Sequence, residues 1–517
     1  MLDVISGIFR YFYFSFSRHL FFISLNLLQI QEHSFNYDPE STVESEVNHD
    51  VLFREGNHNK NVTYTPRMLL VDLKGTLKYI PECGNLYTNT QLDLNNPEVS
   101  VLNQVRGGIQ WDEKIEVIQN EEAPMPEYQK DLKASQIPVD KVYELKDSVQ
   151  NWPDFMYTRY HPRSINTVKE YEHHDDYSAL DTFSAGLQLW TTAHFEDDFC
   201  DGIRSYIEEC NNSQGFQVLF DVNDGFSGVT VKCLEYLEDE YSKSVLALPL
   251  TAPRSKCFQF ADDAMSDSIR MINTAFSYAK LSEHSSLFVP LSTMGRTWRS
   301  VDEPQKFPYL NYDSSNLYHS SAILGTFIDS MSLRYRLQEP NYLSAFCSDL
   351  SAYGRKMSGA KISLPFQMNE KEDLIDFLDR FNGDLMESIS PGTKIGTDRI
   401  VQSVTLRGIP KSRLKRPLES AKNQMKMAAY KCGSASEMMQ LYYQCSFYQS
   451  LTHVTAVESG MKVKAPFPRE FFDTRIAANG FLKEFQSSNV DRKLLTRQIH
   501  FKHAVTLTFF MKKTKLS

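Results

Sequence analysis

The stretch 216–241, FQVLFDVNDGFSGVTVKCLEYLEDEY, carries the residues best placed to do chemistry. An apolar run stops at Asp221, a short loop of Asn, Asp, Gly and Ser follows, and a helical period takes over. A helix N-terminus offers unbonded N–H groups and a partial positive charge, and glycine lets an anion approach the backbone closely. Asn223, Asp224, Gly225, Ser227 and Gly228 are therefore candidates for contact with a phosphate. A second strand end, in MLLVDLKG, offers Asp72 and Gly75 for the same sheet edge. Neither loop continues into GKS or GKT, so the Walker pattern is absent. Taken alone, the loop fits equally an ordinary strand-to-helix turn capped by Asp or Asn.

Other polar clusters carry less. His173, His174, Asp175 and Asp176 adjoin in YEHHDDY. Adjacent side chains point apart on a strand or helix, so a solvated loop accounts for them better than a metal site. The eight cysteines are scattered without a CxxC pair, which excludes a zinc ribbon and a thioredoxin motif and reads as reduced thiols of a cytosolic protein. A net charge of -10 argues against a nucleic-acid binder, which needs clustered Lys and Arg. No Ser/His/Asp or Cys/His constellation is discernible.

The elements around the loop must position it. Phe199, Ile203, Tyr206 and Ile207 repeat at helical spacing before it. A strand at 216–222, a helix with Val231, Leu234, Leu237 and Tyr241 on one face, and a strand within 244–251 follow. That order is a βαβ unit of a parallel sheet. Another short strand runs from Met68 to Leu73. Helices are predicted at 265–285 and 315–337, then a strand at 359–368, a helix around 370–382, a strand from Ile400 to Arg407 and a helix around 435–452. The Met and Tyr stripe of that last helix reads as core. The chain's 517 residues suffice for two or three packed domains.

Several stretches resemble tubulins. ECNNSQGFQVLFDVNDGFSG resembles the run into their glycine-rich GGGTGSG loop, with QGFQ (Gln214 to Gln217) shared outright. YTPRMLLVDLKGTL, RMINTAFSYAKLSEHSSLFVP and NLYHSSAILGTFIDSMSLRYRL resemble three further tubulin segments. The set IQEHSFNYDPE, DVLFREG, WPDFMYTRYHPRS, QGFQVLFDVNDGFSG and VTLRGIP is similar to the Misato family, over about residues 30–480. This resemblance implies an α/β, tubulin-like fold: a parallel nucleotide-binding-type sheet with flanking helices, a long central helix, then a smaller α+β domain. It implies roles in mitochondrial distribution and morphology and in spindle assembly. The implied partners are tubulin and its folding chaperonin, and the implied locations are the cytoplasm and the outer mitochondrial surface. GTP or GDP is the ligand such a loop would take.

The chemistry of tubulins does not carry over residue by residue. Phe226 stands where tubulins have Thr, and Ser227 and Val229 replace further glycines. Lys74 falls at the acid near their magnesium, and a lysine cannot hold a divalent cation. Leu343 sits at the acid of their catalytic loop, and leucine cannot polarise water. Leu291 and Asn316 fall near the two positions that contact the guanine base. The expected activity is therefore that of a non-catalytic protein acting through partners. A GTP-binding switch or weak GTPase that assembles as tubulins do is the alternative.

The two ends depart further. Residues 1–29, MLDVISGIFRYFYFSFSRHLFFISLNLLQ, resemble no tubulin strand and turn, and charge interrupts every run long enough to span a membrane. They are expected to be foreign to the fold or a weak anchor, leaving the sheet without its first strand. The expected domains are 30–337, with a family-specific insertion at about 95–180, and 338–485. Residues 486–517 are expected to form a basic, poorly ordered tail, although 503–511 could make a strand.

Overall fold

The computed structural model describes residues 9–16, 20–35, 45–58, 61–78, 80, 125–134, 141, 143–149, 151–172, 179–251, 261–295, 304–338, 341–351, 354–381, 385–391, 399–415, 427–446, 451–483, 499–501 and 503–510. Its first part is built on a six-stranded sheet. The strands are β1 (Phe9–Phe16), β4 (Met68–Lys74), β5 (Ile165–Glu172), β6 (Asn212–Asp221), β7 (Ser244–Leu250) and β8 (Leu287–Phe288), ordered β5-β4-β1-β6-β7-β8. Every pairing is parallel. β6 and β7 are buried along nearly their whole length, as strands covered on both faces must be. A hairpin of β2 (Phe53–His58) and β3 (Asn61–Pro66) precedes β4.

Helices cover the sheet. They are α1 (Leu20–Glu32), α2 (Glu127–Lys133), α3 (Phe183–Leu189), α4 (Cys200–Glu208), α5 (Phe226–Tyr241), α6 (Ala261–His284), α7 (Leu317–Arg336) and α8 (Leu343–Leu350). The helices predicted at 265–285 and 315–337 are α6 and α7. α7 is buried from Tyr318 to Arg336 and packs on α1. It tolerates burial although it is rich in Ser and Thr, because Ser321, Thr326 and Ser330 donate back to carbonyls one turn earlier.

The second part is a mixed sheet, ordered β10-β9-β15-β11-β12. Its strands are β9 (Gly359–Ser363), β10 (Glu387–Ser388), β11 (Arg399–Arg407), β12 (Leu451–Val457) and β15 (His503–Phe510). α9 (Leu374–Arg380) and α10 (Ala435–Ser446) close a separate core over it, and Met438, Met439 and Tyr443 are buried there as expected. β13 (Met461–Val463) and β14 (Ile499–Phe501) form a separate antiparallel pair. The two parts are joined by a buried ion triad. Arg336 on α7 meets Asp329 at 2.7 Å, and Arg407 on β11 takes the other carboxylate oxygen. Burial pushes the Asp329 carboxyl up, but Arg407 and Arg336 more than offset this and hold it below the usual carboxylate range.

Four expectations are corrected. Phe9–Phe16, expected to be foreign to the fold, lies in the middle of the parallel sheet, with Tyr13 opposite Met68 on one side and Gln217 on the other. The physical reason is that an interior parallel strand is a near-continuous aromatic or aliphatic run, the pattern that had read as a broken anchor. The stretch expected as an insertion within the first domain is, in its described residues, woven into that domain's own sheet and core: β5 pairs with β4, and Tyr128, Trp152, Phe155 and Tyr160 are buried. The boundary expected at residue 338 precedes α8, which packs against β6, β7 and β8 of the first sheet. The tail supplies β15, antiparallel between β9 and β11, where its β-branched and aromatic residues suit a strand. His173 to Asp176 lie outside the described residues. Among the described residues, no helix is long and apolar enough to cross a membrane.

Candidate functional site

The C-terminal edge of the parallel sheet brings both candidate loops together. Val71 and Phe220 stand in register on either side of Phe16 of β1. Asp72 and Asp221 therefore follow at the same level, two strands or roughly 10 Å apart. A ligand in this fold would sit at this edge.

At the end of β6 the chain satisfies its own polar groups. Asp221 is buried, and its Oδ1 accepts from the backbone N–H of Asn223 at 3.3 Å and from Asn223 Nδ2 at 2.9 Å. Gly225 N–H donates to the Leu180 carbonyl at 3.0 Å. The first N–H groups of α5 are also engaged. Phe226 N–H donates to Asp224 Oδ1 at 3.0 Å, Ser227 N–H to the Asp224 carbonyl at 3.3 Å, and Gly228 N–H to the Gly225 carbonyl at 3.0 Å. Ser227 Oγ donates to the Asp224 carbonyl at 2.7 Å. The Asp224 carboxylate thus occupies the helix N-terminus where an external anion would bind, and the helix dipole favours it there.

The glycines are explained by packing. A Cβ on Gly228 would stand 2.1 Å from the Phe183 carbonyl oxygen, and one on Gly225 2.8 Å from the Thr182 carbonyl oxygen and from Leu180. Reciprocally, a Cβ on Gly186 of α3 would stand 1.7 Å from the Gly225 carbonyl oxygen. α3 therefore crosses α5 with backbone against backbone. Thr182 caps α3 by accepting from Ala185 N–H at 3.3 Å.

One residue that sequence reasoning missed locks this arrangement. Asn273, buried on α6, donates through Nδ2 to the carbonyls of Asp181 (2.6 Å) and Asn223 (3.0 Å). Its Oδ1 accepts from Phe183 N–H at 2.9 Å. Its side chain so joins three elements, using three of the four bonds an amide can make. The available signal was an Asn in mid-helix, where its propensity is poor.

The other candidates are engaged differently. Asp72 is buried, and its Oδ2 accepts from Trp152 Nε1 at 3.1 Å while Oδ1 accepts from Leu73 N–H at 2.7 Å. Gly75 turns the chain at φ 87°, a conformation that favours glycine. Lys74 faces Glu172 at 3.7 Å in solvent, a pair worth little. Leu291 is buried beside β7, its N–H donating to the Pro249 carbonyl at 2.9 Å. Asn316 caps α7 by accepting from Tyr318 N–H at 2.9 Å. Leu343 is buried at the start of α8, where its N–H donates to Gln214 Oε1 at 3.2 Å. Its side chain packs so closely on β6 that a Cβ on Gly215 would stand 3.0 Å from Leu343 Cδ2. Among the described residues, no group of three or more His, Cys, Asp or Glu could hold a metal ion.

Known proteins match this chain along most of its length. Residues 143–337 match the tubulin domain family, and residues 18–134 match the Misato Segment II tubulin-like domain. The chain is 43% identical to Protein misato of Drosophila melanogaster over 485 residues, which covers 90% of this chain and 84% of that protein. It is 31% identical to Protein misato homolog 1 of Danio rerio, covering 89% and 82% of the two chains. With the human Protein misato homolog 1 it shares 30% identity, over 82% of this chain and 76% of the relative. The tubulin-like domains found by comparison, the parallel sheet with its long buried helix and the extent of these identities make the chain a member of the Misato family.

Proposed function

We propose that this chain is a non-catalytic, tubulin-like protein that organises mitochondrial distribution and morphology and supports microtubule and spindle assembly through protein partners. Tubulin and its folding chaperonin are the partners this reading names, with the cytoplasm and the outer mitochondrial surface as the place. The reading of partners and place rests on the family. The non-catalytic part is supported by one observation above all. The N–H groups of Asn223, Gly225, Phe226 and Ser227 are engaged by Asp221, the Leu180 carbonyl and Asp224, the Asn223 carbonyl accepts from Asn273, and the glycines pack against α3 and the residues just before it, so the loop's sequence is accounted for without a ligand. The burial of Leu343 supports it further, since a carboxylate there would be a buried charge rather than an exposed catalytic acid.

Rescue of depleted cells tests the reading. A chain with Asn223→Ala and Ser227→Ala alters the loop's polar side chains. It should restore mitochondrial distribution and spindle assembly as well as the unaltered chain does. Loss of rescue by that chain, when it is as abundant and as thermally stable as the unaltered one, would contradict the proposal.

A further inference from the structure

The chain carries a net charge of -10, yet four cations gather around the end of α1 without an acid to balance them. Lys462 and Lys464 flank Val463 at the end of β13, and Arg469 follows in the loop beyond. All three act on the ring of His33, which lies against Tyr157 with ring centroids 5.5 Å apart. Arg159, two residues on from Tyr157, is exposed, as is Lys462. None of the four forms a salt bridge among the described residues.

Arg469 is the most constrained of them. Its Nη2 donates to the Val463 carbonyl at 2.8 Å. Its Nε is buried with no hydrogen-bond partner among the described residues, and burial pushes its pKa down. A guanidinium drawn out of water without an anion is costly. Arg469 lines an open cleft of about 290 Å3 together with Tyr143, Tyr318 and Phe467. The other charged side chains of the cleft are engaged: Lys141 with Glu127 and Asp131, and Glu470 with His319 Nε2 at 3.1 Å.

We propose that Arg159, Lys462, Lys464 and Arg469 dock an acidic segment of a partner protein, whose carboxylates bring the counter-charge that these side chains lack. Clustered basic side chains read acidic motifs, and the walls of a cleft focus their field. The size of the cleft selects a peptide. It admits side chains, whereas a duplex or a bilayer would face the whole of a net negative chain. The proposal gives a chemistry to one partner and rests on the reading that the chain acts through partners.

Glu32, the last residue of α1, tunes the site. Its Oε2 accepts from Thr158 Oγ1 at 2.8 Å, and Arg159, Tyr128, Tyr157 and Tyr160 lie within reach of its charge. Burial raises this carboxyl to about 7 against the pull of Thr158 and Arg159, and a helix C-terminus disfavours the anion further. Above that pH Glu32 is a competing anion among the cations; below it the carboxyl is neutral and the cations are left to the ligand. His33 does not titrate in this range, because burial and the three cations hold it neutral down to about 3.

Fluorescence anisotropy of a labelled hexaglutamate peptide, titrated with the full chain, tests this. The expected result is saturable binding below roughly 100 μM protein at low salt, weakened by screening. Binding should be several-fold tighter near pH 6 than near pH 8, and Glu32→Gln should make it equally tight at both. Lys462→Glu with Lys464→Glu should weaken it at least about tenfold, with an unchanged melting temperature. Lys411→Glu with Lys431→Glu, an equal change of charge on two exposed lysines of the second part, should leave it as it was. Absence of saturable binding, or equal loss from the two double variants, would overturn the proposal. So would displacement of the peptide by millimolar inorganic phosphate at constant ionic strength, which would make this a site for a small oxyanion. The rescue that tests the proposed function leaves these residues unaltered, so either result can fail alone.

Discussion

The loop after β6 and the loop after β4 leave the same edge of one sheet, yet their glycines answer to different forces. Gly225 and Gly228 have ordinary helical or turn geometry and no room: a Cβ on Gly228 would strike the backbone of α3, and one on Gly225 the Leu180 side chain and the Thr182 carbonyl just before it. Gly75 has room, with nothing nearer than 4.0 Å, and needs glycine only for its φ of 87°. The first loop is closed by packing and the second is open to solvent. Glycines that a tubulin-like sequence suggests for phosphate contact can thus be required by helix–helix approach alone. A glycine's presence does not distinguish the two; what stands over it does.

Substitutions can break this comparison, and the largest effect is expected at Gly228. Gly228→Val places a branched side chain against the Phe183 carbonyl and forces α3 off α5. Soluble, cooperatively folding protein should not be recovered, as judged by urea unfolding of whatever is purified. Leu343→Asp comes next. It restores the residue type of the tubulin catalytic loop but buries a charge against β6, and should cost about 3–5 kcal/mol in the same assay without producing GTP turnover. Asn273→Ala removes the hydrogen bonds that join α6 to both Asn223 and Phe183, leaving the buried Phe183 N–H unsatisfied. A loss of about 2–3 kcal/mol is expected, with increased amide exchange confined to residues around 180–186 and 222–228. The smallest effect belongs to the open loop. Gly75→Ala should cost about 1 kcal/mol, from backbone strain alone. If Gly75→Ala proved as damaging as Gly228→Val, the distinction between an open and a closed loop would fail.

Much of the sheet was legible in the sequence because its strands and helices carry clean periods. The β6–α5–β7 unit appeared where the apolar run, the Asx/Gly turn and the helical repeat pointed to it. β1 was not legible, because an interior parallel strand lacks alternation and FRYFYFSF looks the same as a broken anchor. β5 hid in a polar stretch because it is an edge strand, with Val168 its one buried residue. In the candidate site, the residue types of the loop could be read, but not their engagement. The Gly225–Gly186 approach, the Asp72–Trp152 hydrogen bond and the three-way Asn273 bond each join residues far apart in the chain. Local pattern holds no record of them. The burial of Leu343 is of the same kind: the loss of the acid was visible, but the core it fills was not.

The central claim is that the loop after β6 survives as packing rather than as a nucleotide site. The most direct measurement is the nucleotide content of the purified full chain, denatured and resolved by anion exchange, with folding verified beforehand by a cooperative melt. A folded chain that releases no guanine nucleotide above a protein-free control is the predicted result. Release of nearly one GDP or GTP per chain would contradict the account and return the switch reading to first place.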